Sequence, residues 1–392
     1  MRTFCRAPRS AAWLLSALTL LALPLLAMRP ANPTPMARAE QQLPAPVNGP
    51  ILVLDQRGSI SSMVQITPQH DEILAVEGGR VTRVLARGLT TYSCCVGPAP
   101  SPRGRYVAFT QTDAYLPKRV VDTKGLWLTT SDGQRTARLF PAPVPPNPGE
   151  PFDIAAVAWS PDRYTLAYAV DLFTDASVAP SLLRGSGLWL APYDKPNRRR
   201  LVFPFAPGGA YAPILTTACG RGFSNPAFYP VSWAPDGRTV AASLTCIVPT
   251  PSSIKGVQAI LAIDTSAGRA RVLVQSGRDA AFAPGAPALA YVTGDEDGKA
   301  PSTLWVADAQ GQHARKLVTV QGQLTSPAWA PDGRSIAYIV GSPDPGQGTT
   351  AIRTVDVATS QVRTVLAANQ QGQPLLPAGG HFTRLAWMHT RV

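Results

Sequence analysis

The chain has 392 residues, among them 40 proline and 32 glycine residues, and only 15% of its residues are charged. Because proline lacks the amide donor and glycine carries an entropic cost, this composition excludes a protein built mainly of long helices and favours short strands joined by turns. The formal net charge is +12, and subtracting the five arginines of residues 1–39, a segment without acidic residues, leaves +7. This modest basic excess is typical of arginines scattered along outer strands.

Residues 1–39 have the organisation of an export signal. Three arginines precede an apolar run at 11–28, and the small-residue pattern Ala-Arg-Ala follows at 37–39. The length of this run is near the lower limit for crossing a bilayer, so the segment is either a cleaved signal or an uncleaved N-terminal anchor. We expect no contact with the membrane other than such an anchor. Both alternatives predict an extracytoplasmic chain that is secreted, periplasmic or anchored facing outward, which argues against a nucleic-acid partner. Residues 40–49 are predicted to be a Pro-rich linker.

One motif recurs five times between residues 50 and 392. Each copy has a proline and, six residues later, an alanine; the prolines are Pro102, Pro161, Pro235, Pro284 and Pro331. The full form, Pro-Asp-Gly, is typical of a tight turn between two strands. The apolar run after the turn predicts a strand buried on both faces. Two residues before the proline there is usually a bulky aromatic residue suited to filling space between sheets, and these structural positions are Trp159, Trp233, Phe282 and Trp329.

Each motif is followed by a second hairpin with a short polar turn, so each unit has the four strands of a propeller blade. The C-terminal segment carries Trp387 at the aromatic position but has no second hairpin, whereas the hairpin that begins at Glu72 has no first strand. We therefore expect the two ends to complete one blade together, which removes free sheet edges. The predicted fold of residues 50–392 is all-β: a six-bladed β-propeller of four-stranded antiparallel blades, closed by pairing of the N- and C-terminal strands.

The Trp-Ser/Ala-Pro-Asp-Gly turn, the Ile-Ala-Tyr after it and the later Leu-Trp hairpin resemble the WD40-like repeat of TolB-type six-bladed propellers. The resemblance covers nearly all of the predicted exported chain. The Gly-His and Trp-Asp pairs of true WD40 repeats are missing, and the short linker leaves no room for the α/β domain that precedes the TolB propeller. The resemblance implies the propeller fold and a role in a cell-envelope complex.

Catalytic and metal-binding motifs are scarce in this sequence. The four histidines form no His-x-x-x-His pair and lie near no clustered acids, so no zinc site is predicted; they are His70, His313, His381 and His389. No Gly-x-Ser-x-Gly elbow occurs, and no hydrolase domain is expected after the propeller. The acidic residues at 295–297 lack the spacing of a calcium loop and are predicted to form a solvated turn. We predict no catalytic residue, metal or cofactor.

Four cysteines lie outside the predicted signal, and an oxidising compartment would allow them to pair. Cys219 precedes the first strand of its blade and Cys246 follows the second strand, so both lie at the same face and a bridge between them is geometrically reasonable. The adjacent Cys94 and Cys95 would then either close a strained vicinal ring or stay reduced.

Loop length predicts which face of the propeller binds. The Pro-Asp-Gly turns and the outer hairpin turns share one face, here called the hairpin-turn face. The opposite, long-loop face carries the connections 111–124, 141–156, 170–186, 203–230, 244–258 and 368–381. Long loops are often functional, and these contain aromatic and arginine residues of the types found at binding hot spots. The candidate binding residues are Tyr115, Arg119, Phe173, Arg184, Tyr211, Arg221, Phe223, Phe228 and Tyr229.

The predicted function is a non-enzymatic binding or scaffold propeller outside the cytoplasm, monomeric, which engages a protein or cell-envelope component through the long-loop face. The alternative is a propeller enzyme of the lyase or lactonase type, whose groups would converge on the mouth of the central channel from different blades. Such a site leaves no local motif. Several histidine or carboxylate groups at the channel mouth would favour the enzyme.

Overall fold

The computed structural model describes residues 48–57, 70–89, 97–111, 114–116, 119–121, 124–141, 152–172, 185–205, 209–250, 254–294, 300–341, 351–367 and 380–390. The predicted export signal, most of the linker, Cys94, Cys95 and the acidic turn at 295–297 lie outside these ranges. Within them, no helix combines the length and the apolar character that a bilayer crossing requires.

Six four-stranded antiparallel sheets make up the structure, together with one two-stranded hairpin and one α-helix, α1 (Ala212–Cys219). The strands in chain order are β1 (Asn48–Arg57), β2 (His70–Glu77), β3 (Arg80–Leu89), β4 (Ala99–Pro100), β5 (Tyr106–Gln111), β6 (Ala114–Leu116), β7 (Arg119–Val121), β8 (Gly125–Thr130), β9 (Thr136–Pro141), β10 (Phe152–Trp159), β11 (Thr165–Leu172), β12 (Gly187–Pro192), β13 (Arg200–Pro204), β14 (Ser224–Trp233), β15 (Thr239–Pro249), β16 (Ile254–Asp264), β17 (Arg269–Gln275), β18 (Arg278–Phe282), β19 (Ala288–Thr293), β20 (Ser302–Asp308), β21 (Arg315–Val320), β22 (Leu324–Trp329), β23 (Ser335–Val340), β24 (Ala351–Asp356), β25 (Val362–Ala367) and β26 (Gly380–His389).

Each sheet is one blade. From the innermost strand outward the blades are β26-β1-β2-β3, β4-β5-β8-β9, β10-β11-β12-β13, β14-β15-β16-β17, β18-β19-β20-β21 and β22-β23-β24-β25. The predicted all-β, six-bladed propeller is confirmed, and so is its closure. The C-terminal strand β26 pairs antiparallel with β1, with Ile51 opposite Trp387 and Val53 opposite Leu385.

The Pro-Asp-Gly turns form through hydrogen bonds within the motif itself. In the turn of β14 and β15, Oδ1 of Asp236 accepts the backbone N–H groups of Arg238 and Thr239, each at 2.8 Å. Gly237 has a φ of 65°, in the left-handed region that favours glycine, and Arg163 holds the same position of the β10–β11 turn at 72°. The sequence therefore specifies this turn locally.

The aromatic residues of the motif lie at the ends of innermost strands. Trp159, Trp233 and Trp329 are the last residues of β10, β14 and β22, and each has only 7–8% of its surface exposed. At these positions the tryptophan side chains pack between neighbouring blades. Trp159, for example, packs in one cluster with Ala99 and Ala108 of the preceding blade.

Several of the predicted loops contain regular secondary structure, and one of them, 111–124, holds the β6–β7 hairpin. The range 203–230 contains helix α1 and the first part of β14, and three helix residues, Leu215, Ala218 and Cys219, are buried in the core. Pro213 in the first turn and Gly220 just after the last were helix signals in the sequence. The range 244–258 is mostly a continuous ladder of β15 and β16, which leaves only residues 250–253 as the connection. The loops predicted from the spacing of the repeat therefore include residues that belong to a helix or to strands.

Candidate functional site

Six innermost strands, one from each blade, surround a central channel with a cavity of about 490 Å³. These strands run from the long-loop face to the hairpin-turn face. Towards the long-loop face the cavity is lined by Tyr229, Ser326 and Arg384, and towards the hairpin-turn face by His389 and the prolines of the turns. The volume is within the range of small-molecule pockets, roughly 300–1,000 Å³.

Bulges interrupt five of the innermost strands near the long-loop end of the channel. A bulge redirects side chains and is frequent beside binding sites. At two of these bulges Asp279 and Ser326 adopt positive φ values, 52° and 56°. The register shifts lie between Ile154 and Ala156, Phe228 and Val231, Arg278 and Ala281, Thr325 and Ala328, and Phe382 and Arg384.

Three charged residues, here called the channel triad, meet at this end of the channel: Arg278, Asp279 and Arg384. Nη1 of Arg278 donates to Oδ2 of Asp279 at 2.6 Å, and Nη1 of Arg384 donates to Oδ1 of the same carboxylate at 3.0 Å. The three residues are 4%, 4% and 6% exposed. Asp279 and Arg384 are 105 residues apart in the chain, so the ring of blades creates this contact.

The channel triad combines two guanidinium groups with one carboxylate. Burial raises the pKa of the Asp279 carboxyl, although the charge of Arg278, its hydrogen bond and the backbone N–H of Ser326 oppose the rise. The guanidinium carbon of Arg384 lies 3.6 Å from the centre of the Tyr229 ring, a cation–π contact that helps to hold a desolvated cation. The channel triad therefore has more positive than negative groups.

In the described ranges, no group of three or more histidine, cysteine or carboxylate residues could hold a metal ion. Asp279 belongs to the channel triad, whereas His389 lines the cavity near the hairpin-turn face, where burial lowers its pKa.

A search of protein-family models finds no match to this chain. A segment of 70 residues, 18% of the chain, is 41% identical to the Tol-Pal system protein TolB of Albidiferax ferrireducens, and a segment of 53 residues, 13% of the chain, is 43% identical to the Tol-Pal system protein TolB of a Marinomonas species. These segments span 15% and 12% of the two relatives. The structure matches TolB from Acinetobacter baumannii with a TM-score of 0.52 at 11% identity, over 87% of this chain and 66% of that one. The chain has a TolB-like propeller fold.

Among the candidate binding residues of this TolB-like propeller, two predictions are wrong. Phe228 is fully buried, with its ring centre 4.7 Å from that of Phe205, because it faces the core between two blades. The hydroxyl of Tyr211 lies 2.5 Å from the carbonyl oxygen of Gly268 in the β16–β17 turn, which places it towards the hairpin-turn face. Tyr211 therefore lies between the outermost strand β13 and the β16–β17 turn, and position within a predicted loop did not determine the face.

The other candidates have different positions in the TolB-like propeller. Tyr229 lines the channel, Arg221 is exposed between α1 and β14, and Phe223 is half-buried against the core that contains α1. Tyr115 and Arg119 belong to the β6–β7 hairpin, and nothing is described of their side chains. Phe173 and Arg184 lie outside the described ranges. Of the candidates whose side chains are described, only Tyr229 is brought to the channel triad, where its ring contacts Arg384.

A disulfide joins Cys219 and Cys246, whose Cα atoms are 5.9 Å apart. Cys219 is the last residue of α1, and Cys246 lies in β15 opposite Val257 of β16. The bridge therefore ties the helix to the part of the β15–β16 ladder nearest the long-loop face.

Sequence reasoning did not identify the channel triad. Its signal was weak: Asp279 lies near the start of β18 and Arg384 in the middle of β26, each three residues before the aromatic position of its repeat, Phe282 or Trp387. A charge at this position of an innermost strand is the feature that could have indicated the site.

Proposed function

We propose that this chain is an extracytoplasmic binding propeller of the cell envelope, without enzymatic activity, that engages a protein or envelope component through its long-loop face. Its likeness to propellers of the Tol-Pal system and the export signal of the sequence support this role. The partner belongs to the envelope because the predicted signal brings the chain there.

The observation that carries the choice of face is the length of the β15–β16 hairpin. It has 11 paired residues on each strand, whereas the corresponding second and third strands of four other blades, β5–β8, β11–β12, β19–β20 and β23–β24, have six. The surplus, here called the raised hairpin (residues 245–258), extends towards the long-loop face. Pro249 and Lys255 are exposed on it.

The raised hairpin is braced from the outside. The disulfide of Cys246 and Cys219 connects it to α1, and the side-chain amide of Gln275 donates to the carbonyl oxygen of Ala218 at 3.0 Å. A rigid projection loses little conformational entropy when a partner binds, which favours affinity. Because the disulfide holds it in place, we take the raised hairpin as the main contact region of the long-loop face.

Site-specific photo-crosslinking in intact cells tests the choice of face. A photo-reactive residue at Lys255, on the raised hairpin, should give a discrete crosslinked envelope protein, which mass spectrometry would identify. The matched control is Gln312, an exposed residue in the β20–β21 turn on the hairpin-turn face. Crosslinks from Gln312 and none from Lys255 would contradict the proposal.

The localisation has a separate test. Cell fractionation should recover the protein outside the cytoplasm, and N-terminal sequencing should give a start after residue 39 for a cleaved signal or the original N-terminus for an anchor. Light scattering should give the mass of a monomer. A cytoplasmic protein would overturn the proposed role.

A further inference from the structure

Arg278 is buried with part of its hydrogen-bonding capacity unused. Nη1 is bonded to Asp279, but Nε and Nη2 are inaccessible to solvent and have no hydrogen-bond partner among the described residues. These two nitrogens form one edge of the guanidinium plane, and their parallel N–H groups match the two oxygens of a carboxylate. The unpaired edge is therefore shaped for one kind of ligand.

The charge of the channel triad points to the same ligand. Two arginines share its single carboxylate, so positive groups outnumber negative groups within the triad. A buried cation is costly unless hydrogen bonds and negative charge compensate it, and two nitrogens of Arg278 have no hydrogen-bond partner among the described residues. An anion at this edge of Arg278 would supply both.

The channel provides space beside one member of the triad. Arg384 lines the cavity of about 490 Å³ together with Tyr229 and Ser326, whereas Asp279, which is bonded to it, and Arg278 do not belong to the lining. The backbone N–H of Leu385 donates to Oγ of Ser326 at 3.0 Å, which fixes the inner strand beside the triad. A small ligand or one side chain of a larger partner fits a space of this size.

We infer that the channel triad is a carboxylate-binding site, in which the Nε and Nη2 edge of Arg278 takes the two oxygens of a carboxylate that enters through the channel. Because both nitrogens are shielded from solvent, binding requires the residues that cover them to move. The carboxylate belongs either to a free small molecule or to an acidic side chain of a partner. The inference stands apart from the proposed function, since it depends on the triad and not on the raised hairpin.

Calorimetry and thermal unfolding with succinate at constant ionic strength test the site. Succinate should bind the native protein and raise its Tm, whereas Arg278→Met should abolish both effects and, without ligand, should unfold at no lower temperature than the native protein. The matched control is Arg353→Met: Arg353 also has a buried, unpartnered Nε, but it lies in β24, the third strand of its blade, and not on an innermost strand. This control should bind succinate like the native protein.

A second, more conservative variant distinguishes loss of the binding site from misfolding. Arg278→Lys keeps the charge but loses the planar two-donor edge, so it should bind succinate at least ~10-fold more weakly. Unchanged affinity in this variant, or no succinate binding by the native protein at about 10 mM, would overturn the inference. Inorganic phosphate that binds more tightly than succinate would overturn the assignment to carboxylate. A blocked triglutamate peptide that binds more tightly than succinate would assign the site to a partner's side chain, and the reverse order to a free small molecule.

Discussion

The indole Nε1 of Trp329 donates a hydrogen bond of 2.9 Å to the carbonyl oxygen of Ala281, on the innermost strand of the preceding blade. Trp159 makes the same contact with Ala99. Trp233 occupies the equivalent position, but its Nε1 is buried with no hydrogen-bond partner in the described part of the chain. The indole N–H at this motif position is therefore hydrogen-bonded at two blade boundaries and has no acceptor among the described residues at a third.

This difference predicts unequal costs for the same substitution. Trp329→Phe leaves the carbonyl of Ala281 without its donor, whereas Trp233→Phe removes a donor that has no acceptor. We expect the free energy of unfolding to fall by about 1 kcal/mol more in Trp329→Phe than in Trp233→Phe. Urea denaturation of both variants measures the difference, and equal losses would show that the interblade bond contributes nothing.

Closure of the ring depends on close packing of β1 against β26. A Cβ on Gly49 would lie 2.7 Å from the carbonyl oxygen of Met388, so Gly49→Ala forces the two strands apart. We expect a loss of about 1–3 kcal/mol in unfolding free energy and increased self-association through the exposed edge of β1. Denaturation and size-exclusion chromatography measure the two effects.

The control for closure is Gly256→Ala on the raised hairpin, where an added Cβ meets nothing within 4 Å. Its stability should stay within ~0.5 kcal/mol of the native protein. A Gly49→Ala protein as stable and as monomeric as this control would remove the role of β26 as the closing strand.

The disulfide should contribute to stability because it closes a long segment of chain. Cys219 and Cys246 are 27 residues apart in sequence, and a bridge over such a loop typically stabilises a protein by about 2–4 kcal/mol. The double variant Cys219→Ser/Cys246→Ser should lose about this much in urea denaturation. A reducing agent should lower the Tm of the native protein but leave the double variant unchanged; the same response in both would mean that another group is being reduced.

Acid should weaken the β16–β17 turn through Asp264. The hydroxyl of Ser266 and the backbone N–H groups of Ala267 and Ser266 hold the pKa of this carboxyl at about 2, below its ordinary 3.8. Since the folded pKa is depressed, the stabilisation is present above pH 3.8 and is lost as the pH falls towards about 2. Asp264→Asn cannot titrate, so its Tm should change less than that of the native protein across this window. Parallel Tm curves for the two proteins would contradict the assignment.

The sequence by itself determined the turns, the blade count and the closing pair of strands. A Pro-Asp-Gly turn satisfies its hydrogen bonds within a few residues, as Asp236 does with Arg238 and Thr239, so its signal is local and repeats visibly. The bridge of Cys219 and Cys246 was also within reach, because alternating strand direction places both at one face. Helix α1 had local signals too, in Pro213 and Gly220, but a loop count took no account of them.

Only the tertiary structure decided which side chains share a site. Phe228 and Tyr229 are adjacent in sequence, yet the bulge of β14 lies beside them and one faces the core while the other lines the channel. Asp279 and Arg384 meet across 105 residues because the ring closes. Such contacts arise from blade packing between distant strands, whose energy depends on three-dimensional neighbours, and no local pattern of residues records them.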